Sequence, residues 1–419
     1  MVTAEDTPAP AQLNTSGLKT FAQEARRQLL EQIGGRLDQV LAEGSLARRE
    51  NQKAVAELEE QLNSVSREQL IEQVAYTWFN RFCALRFMDV NRYTRLGTVS
   101  AAEGFSQPEI LVDAKQGVID DEWNVDKERV LGLLDKSLPS HDAQGEAYRL
   151  LLVAVCNRHH ELLPFLFEAI ADYTELLLPA DLLSDNSVLT RTCEALTPEA
   201  CQSVEVIGWL YQFYISEKKD EVIGKVVASE DIPAATQLFT PNWIVKYMVQ
   251  NSLGAQWLAT YPQSPLKGQM EYYIEPAEQT DEVNAHLAAI TPSQLNPEEL
   301  TLIDPASGSG HILVEAYELF KAIYLERGYR QRDVPQLILE KNLFGLDIDE
   351  RAAQLTGFAL MMKGRADDRR LFERGVKLNV MSLVDSAGFD AEALAKGMEL
   401  ADYGLKPGDL TELKRLFEH

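Results

Sequence analysis

Apolar positions recur at three- and four-residue intervals through most of the first 250 residues, the spacing of helices with one buried face. Phe21, Ala25, Leu29 and Leu30 form one such stripe, and Ala56, Leu58, Leu62 and Val65 another. Gln69 to Met88 is dense in apolar and aromatic residues, among them Tyr76, Trp78, Phe79, Phe82 and Phe87. Residues 96–127 lose the periodicity. Helical patterns return from Val130 to Phe167, and again at Val206 to Ile215 with Trp209, Tyr211, Phe213 and Tyr214. Aromatics at helical spacing belong to a core rather than to a base-stacking platform. The pattern then changes. Leu302-Ile303-Asp304 is a short apolar strand, followed by a helix whose apolar face carries Ile312, Leu313, Ala316, Leu319, Phe320 and Ile323. Asn342 to Asp349 is a second buried strand, followed by a helix with Ala352, Leu355, Phe358, Ala359 and Met362 on its apolar side. Arg374 to Leu383 is a fainter third strand.

Strands that alternate with helices predict a parallel sheet wrapped by helices. The expected fold class is α/β, a largely helical N-terminal region followed by a partial doubly wound, Rossmann-like sheet. The expected division is 1–17 as a flexible N-terminus, 18–230 as a mostly helical domain and 231–419 as the sheet domain. The polar stretch Lys218–Asp231 joins the last two. Residues 262–300, with five prolines, are expected to form an irregular acidic connector. Glu326 to Lys341 is expected to be an insertion that contains a polar loop, Arg327 to Asp333.

The chain's 419 residues suffice for two or three domains with substantial cores. No apolar run approaches the roughly 20 residues that span a bilayer, and the Thr/Ala/Pro-rich start lacks a signal peptide's basic and apolar segments. Cys83, Cys156, Cys193 and Cys201 show no metal-ligand spacing, so buried free thiols in a cytoplasmic protein are expected and no metal site is assigned. The net charge of −25 argues against an extended DNA-binding face, because duplex binding draws on Lys and Arg to displace counterions. Basic groups such as Arg365, Arg369, Arg370 and Arg374 are expected on solvated or salt-bridged surfaces.

The chemistry is concentrated after the first strand, in Asp304-Pro305-Ala306-Ser307-Gly308-Ser309-Gly310-His311. A glycine loop lets a ligand approach the backbone closely, and N–H groups at a helix start hold negative groups. A dinucleotide fingerprint needs a third glycine where Leu313 stands, and a P-loop needs a Lys after Gly310; neither is present. The second strand ends in the carboxylates Asp347 and Asp349, and a carboxylate at such a tip can accept both hydroxyl protons of a ribose, as in other nucleotide-binding sheets. Asp349 is alternatively a helix cap. Upstream, Thr240 followed by Pro241 predicts a helix start with the proline at the first helical position.

The Asp304–Gly310 string resembles the first motif of amino-methyltransferases that use S-adenosylmethionine, with Ser307 where many relatives carry Cys. Asp347, with Ile348 beside it, matches that group's second motif. Phe239-Thr240-Pro241 is similar to the segment that packs around the methionine end of the cofactor in γ-ordered DNA adenine methyltransferases. Longer strings, Ala75–Arg81, Val206–Lys219 and Asp231–Pro241, resemble the PglX adenine-specific DNA methyltransferases of BREX phage-defence systems, from about residue 18 to about 383.

That resemblance implies a class I S-adenosylmethionine-dependent methyltransferase domain that transfers methyl to adenine N6 in double-stranded DNA and marks host DNA as self. It implies a cofactor site of Phe239, Thr240, Pro241, Asp304, Pro305, Ala306, Ser307, Gly308, Gly310, Asp347 and Ile348. Asn379 or Ser382 is expected near the adenine ring. The family's chemistry also needs an Asn/Asp/Ser-Pro-Pro-aromatic motif, and no Pro-Pro dipeptide occurs here, so no catalytic residue is assigned. The chain is therefore expected to be the N-terminal, cofactor-binding part of a longer enzyme. Its expected partners are DNA, mainly through the missing C-terminal part, a complementing C-terminal polypeptide and other BREX proteins, with no membrane. The alternatives are a non-catalytic cofactor-binding or scaffold subunit of a defence complex, and a modification subunit of a type I restriction system.

Overall fold

The structure, a computed structural model, describes residues 15–102, 104–167, 173–224, 232–238 and 240–383. Met1–Met381 form one compact unit and Ser382–His419 another; among the described residues, every helix belongs to the first. The principal helices are α1 (Thr15–Leu41), α2 (Arg67–Val90), α3 (Ala143–His160), α4 (Glu205–Val222), α5 (Asn242–Val249), α6 (Asp281–Ile290), α7 (His311–Glu326) and α8 (Glu350–Asp367). The strands are β1 (Leu302–Asp304), β2 (Leu343–Asp347) and β3 (Asn379–Ser382).

The helical region is organised around aromatic packing. α1 buries Leu18, Phe21, Ala25, Leu29, Ile33 and Leu37 along one face and lies against α2 and α4. α2 starts at a capping box, in which Ser66 and Gln69 exchange side-chain and backbone hydrogen bonds. Phe79 stacks on Phe21 at 5.9 Å and meets Tyr214 at 4.5 Å, while Tyr76 sits edge-on to Tyr211 and Tyr214. Such pairs each add about 0.5–1.5 kcal/mol beyond the area they bury. The buried Arg26 meets Glu72 through two hydrogen bonds of 3.0 and 2.8 Å, tying α1 to α2.

The sheet has the order β1-β2-β3. β1 and β2 are parallel, with Leu302 opposite Leu343, Ile303 opposite Phe344 and Asp304 opposite Gly345. Gly345 is closely packed: a Cβ there would stand 2.9 Å from the end of the Leu313 side chain of α7 and 3.4 Å from Val380 of β3. Leu343, Gly345 and Val380 therefore share the face that α7 covers. Alternation places Ile303, Phe344 and Met381 on the opposite face. There Ile303 is 60% and Met381 57% exposed. One face of this sheet is packed and the other is largely open, and β1 forms its edge among the described residues.

Two stretches differ from expectation. The connector at 262–300 contains α6, because Thr280 caps the helix and Asp281 and Glu282 complement the dipole of its first turn. α6 has no buried residue, so its apolar periodicity is weak evidence of a helix in sequence. The Glu326–Lys341 insertion carries a polar turn and then helical backbone from Gln331 to Asn342, burying Val334, Ile338 and Leu339. The wholly buried Asn342 ends it: its amide donates to the carbonyls of Pro297 and Leu300 at 2.7 Å, and its oxygen accepts from Tyr324 at 2.9 Å.

The two faces of the sheet predict opposite mutational responses. Ile303→Lys is expected to change unfolding free energy by less than about 1 kcal/mol. Leu343→Ala, on the packed face, is expected to destabilise by about 2–5 kcal/mol. Denaturant titration checks both, and a large loss from the Ile303 change would show that its face is covered in solution.

Candidate functional site

The two βα corners at the C-terminal ends of β1 and β2 build the site. After Asp304 the chain turns through Pro305 and Ala306, both exposed, into a loop in which Gly308 and Gly310 have φ of +54° and +86°. These left-handed values suit glycine. Above Gly308 a Cβ would meet nothing within 4 Å, so the backbone there is open to a ligand. Gly310 serves a different need. A Cβ on it would lie 2.9 Å from Thr356, so it lets the start of α7 close against α8.

Asp347 joins the corners. One carboxylate oxygen accepts from the Gly308 N–H at 2.7 Å and the other from the Asp349 N–H at 2.8 Å. Thr356 of α8 donates to the Gly308 carbonyl at 2.8 Å, and the Ser307 N–H donates to the Leu346 carbonyl at 2.9 Å. A carboxylate offers about four lone-pair sites, so Asp347 retains acceptor capacity for further donors. Asp304 is buried, and its carboxyl accepts from the Ala306 N–H at 3.2 Å. Burial, and secondarily the charge of Asp347, raise its pKa above the ordinary carboxylate value. The buried Ser307 hydroxyl has no hydrogen-bond partner among the described residues.

Thr240 and Pro241 lie on the far side of the glycine loop. They line a cavity of about 260 Å³ together with Glu205, Trp209, Ser309 and His311. Pro241 occupies the N-cap and α5 begins at Asn242, one residue later than the sequence suggested, so Thr240 does not cap the helix. Burial pushes the His311 imidazole down to about 4, and a ring nitrogen lies 3.2 Å from the Ser309 hydroxyl. Phe239 lies outside the described residues. Ile348 is 52% exposed at the tip of β2. Among the described residues no group of His, Cys, Asp and Glu is arranged to hold a metal ion, and no helix is long and apolar enough to cross a membrane.

No protein-family model matches this sequence. Over 418 residues it is 48% identical to the adenine-specific methyltransferase BrxX of Escherichia coli O9:H4 (strain HS), an alignment covering 92% of this chain and 33% of BrxX. It is 35% identical over 450 residues to the adenine-specific methyltransferase PglX of Lacticaseibacillus casei (strain Zhang), covering 94% of this chain and 36% of PglX. Over the stretch it spans, the chain belongs to the BrxX/PglX family. It spans about a third of the length of the curated relatives it matches.

Within this BrxX/PglX segment the structure brings Asp304, Ala306, Ser307, Gly308, Gly310 and Asp347 together, while Thr240 and Pro241 reach the loop through its Ser309–His311 end. Asn379 is placed elsewhere. Its amide donates to the carbonyls of Glu340 at 2.9 Å and Leu343 at 3.4 Å, at the start of β2. That is the opposite end of the strand from Asp347, so Asn379 does not share the Asp347 corner with the glycine loop. Asp349 is the N-cap of α8, its side chain accepting from the Arg351 N–H at 3.0 Å.

Sequence reasoning missed the contribution of α4. A Cβ on Gly208 would lie 2.4 Å from His311 and 2.9 Å from the Ser309 hydroxyl, so this glycine lets α4 touch the glycine loop. Tyr211, one turn later, donates to Asp349 at 2.7 Å. The available signal was a glycine inside an otherwise strongly helical aromatic segment, which marks close approach.

The raised pKa of Asp304 carries a consequence for stability. The unfolded chain releases this proton at a lower pH than the folded protein does, so stability declines as pH rises above the unfolded value. Above the folded pKa the loss is complete. Asp304→Asn removes this penalty and is expected to raise the melting temperature at pH 7 in the absence of ligand. A lower melting temperature with unchanged circular dichroism would contradict it.

Proposed function

We propose that this chain is the S-adenosylmethionine-binding part of a DNA adenine-N6 methyltransferase that marks host DNA in phage defence. The observation that carries the reading is the pair of carboxylates, Asp304 and Asp347, flanking an open glycine loop at a helix start. Two carboxylates in one corner, one with a raised pKa, favour a ligand with positive charge over a phosphate-bearing nucleotide. Bound S-adenosylmethionine would supply an electrophilic methyl group on a sulfonium centre. Asp347 would accept the ribose hydroxyl protons, Ile348 would offer an apolar edge to the base, and Gly308 would admit the ligand to the backbone. Asp304 would face the cationic end, and Thr240 and Pro241, with Phe239 beside them in sequence, would border the methionine portion. The residues present fit this molecule in kind, since carboxylate acceptors suit hydroxyl and cationic groups.

The methyl-accepting side is not assigned to any residue of this sequence, which has no Asn/Asp/Ser-Pro-Pro-aromatic motif. An exocyclic amine needs acceptors for its protons and a stacking surface for the flipped base. Those groups, and the surface that reads DNA, are proposed to lie in the remaining two-thirds of the full-length relatives or in a complementing polypeptide. The open sheet face and the position of β1 at the sheet edge among the described residues support this reading, since doubly wound sheets carry helices on both faces. The acidic balance supports it too. Other proteins of the same defence system are proposed as partners.

Isothermal titration of the purified protein with S-adenosylmethionine tests the reading. Saturable binding is expected, and Asp347→Ala is expected to weaken it by about 1–3 kcal/mol. Absence of binding both here and after addition of the complementing portion would refute it.

A further inference from the structure

We propose that Tyr211 is a positioning residue for the ribose-binding carboxylate: acting through Asp349, it fixes the orientation in which Asp347 meets the cofactor. This rests on the reading of Asp347 as the ribose acceptor. The chain of contacts is short and fully buried at its centre. The Tyr211 hydroxyl donates to one Asp349 oxygen at 2.7 Å, 138 residues away in sequence. The Asp349 backbone N–H in turn donates to Asp347 at 2.8 Å. The Gly308 N–H holds the other Asp347 oxygen at 2.7 Å. The plane of the Asp347 carboxylate is therefore set by two backbone donors, one on each βα corner. The corner that carries Asp349 is anchored from outside by α4.

The anchor is built to stay in one protonation state. Burial, and then the Asp349 charge, hold the Tyr211 phenol well above its ordinary pKa, so it remains a donor. Asp349 is 5% exposed and is also met by Arg351, whose guanidinium donates at 2.9 and 3.2 Å. Burial opposes the Arg351 charge, but Asp349 outweighs it and raises the Arg351 pKa. Tyr76 places its ring 5.1 Å below that guanidinium. Arg351 lies on α8, the same element that Asp349 caps, and so moves with it. Tyr211 belongs to a separate helix and ties this corner to the helical region. Loss of its hydroxyl leaves Asp349 ion-paired but free to shift with α8, which alters the direction in which its N–H presents to Asp347.

A merely structural tyrosine would lower stability without regard to Asp347, so the test is a coupling measurement. Titration of the protein with S-adenosylmethionine is made for wild type, Tyr211→Phe, Asp347→Ala and the double variant, with thermal melting recorded for each. Tyr211→Phe is expected to raise Kd about fivefold in the wild-type background and less than about twofold in the Asp347→Ala background. Replacing Tyr211 with 4-aminophenylalanine, which restores a donor at the same position, is expected to recover wild-type affinity. Equal effects in the two backgrounds, an unchanged Kd for Tyr211→Phe, or failure of the rescue would overturn the positioning role. Should the Phe variant not fold, the 4-aminophenylalanine protein decides: wild-type affinity supports the role and reduced affinity refutes it. Absence of binding in wild type would instead remove the cofactor reading, and this inference with it.

Discussion

The Asp347 carboxylate, gripped by the Gly308 and Asp349 N–H groups, is the constraint from which the site's geometry follows. It ties two loops 39 residues apart and does so with a charged acceptor, the stronger kind of hydrogen bond. Everything nearby keeps that link short. Parallel register sets Asp304 beside Gly345 on adjacent strands. Gly345 and Gly310 remove the two side chains that would push α7 away from β2 and α8. Thr356 then holds the Gly308 carbonyl from below, leaving the upper side of that residue clear. Replacing any of these glycines would act on the ligand surface through packing, without touching a ligand atom.

The helical region contributes more than bulk to this arrangement. Its aromatic core fixes α4 between α1 and α8, with Tyr214 against Phe79 and Tyr76 against Tyr211. One face of α4 therefore carries three different jobs within two turns. Gly208 makes room for the Ser309–His311 end of the loop, Tyr211 reaches Asp349, and Tyr214 packs into the core. A helix so committed cannot rotate or slide without disturbing both corners, since packed interiors shift between discrete arrangements rather than deform smoothly. The two buried contacts from α4 thus tie the helical core to both βα corners.

How much of this was legible in sequence depended on whether the cause was local. The Asp304–Gly310 loop, the β2 tip and both apolar helix faces were readable, because loop conformation and helix amphipathicity are set by residues within a few positions. The helical turns at 331–342 were hidden because their burial comes from contacts with distant elements. α6 was hidden for the opposite reason, having no buried face to enforce a pattern. Asn379 misled because strand-end polarity depends on which way β3 enters the sheet; its amide ended up satisfying carbonyls at the wrong end. Tyr211 was classed with its aromatic neighbours as core. That was correct for its ring and silent about its hydroxyl, whose partner lies 138 residues on.

The electrostatics of the corner bear on why it has not been relaxed to something more stable. Asp304 is buried near a second carboxylate and is met there by one weakly placed N–H, so its ionisation is penalised. An amide of the same shape would remove the penalty, and an apolar side chain would suit the burial better still. A site selected only for stability has no use for the charge. The penalty becomes intelligible once a cationic ligand enters, because the same two carboxylates that repel each other both attract it, and do so in surroundings that screen poorly. An anionic ligand would compound the repulsion instead. The sign of the unrelieved charge thus fits the cationic ligand proposed above and does not fit an anionic one.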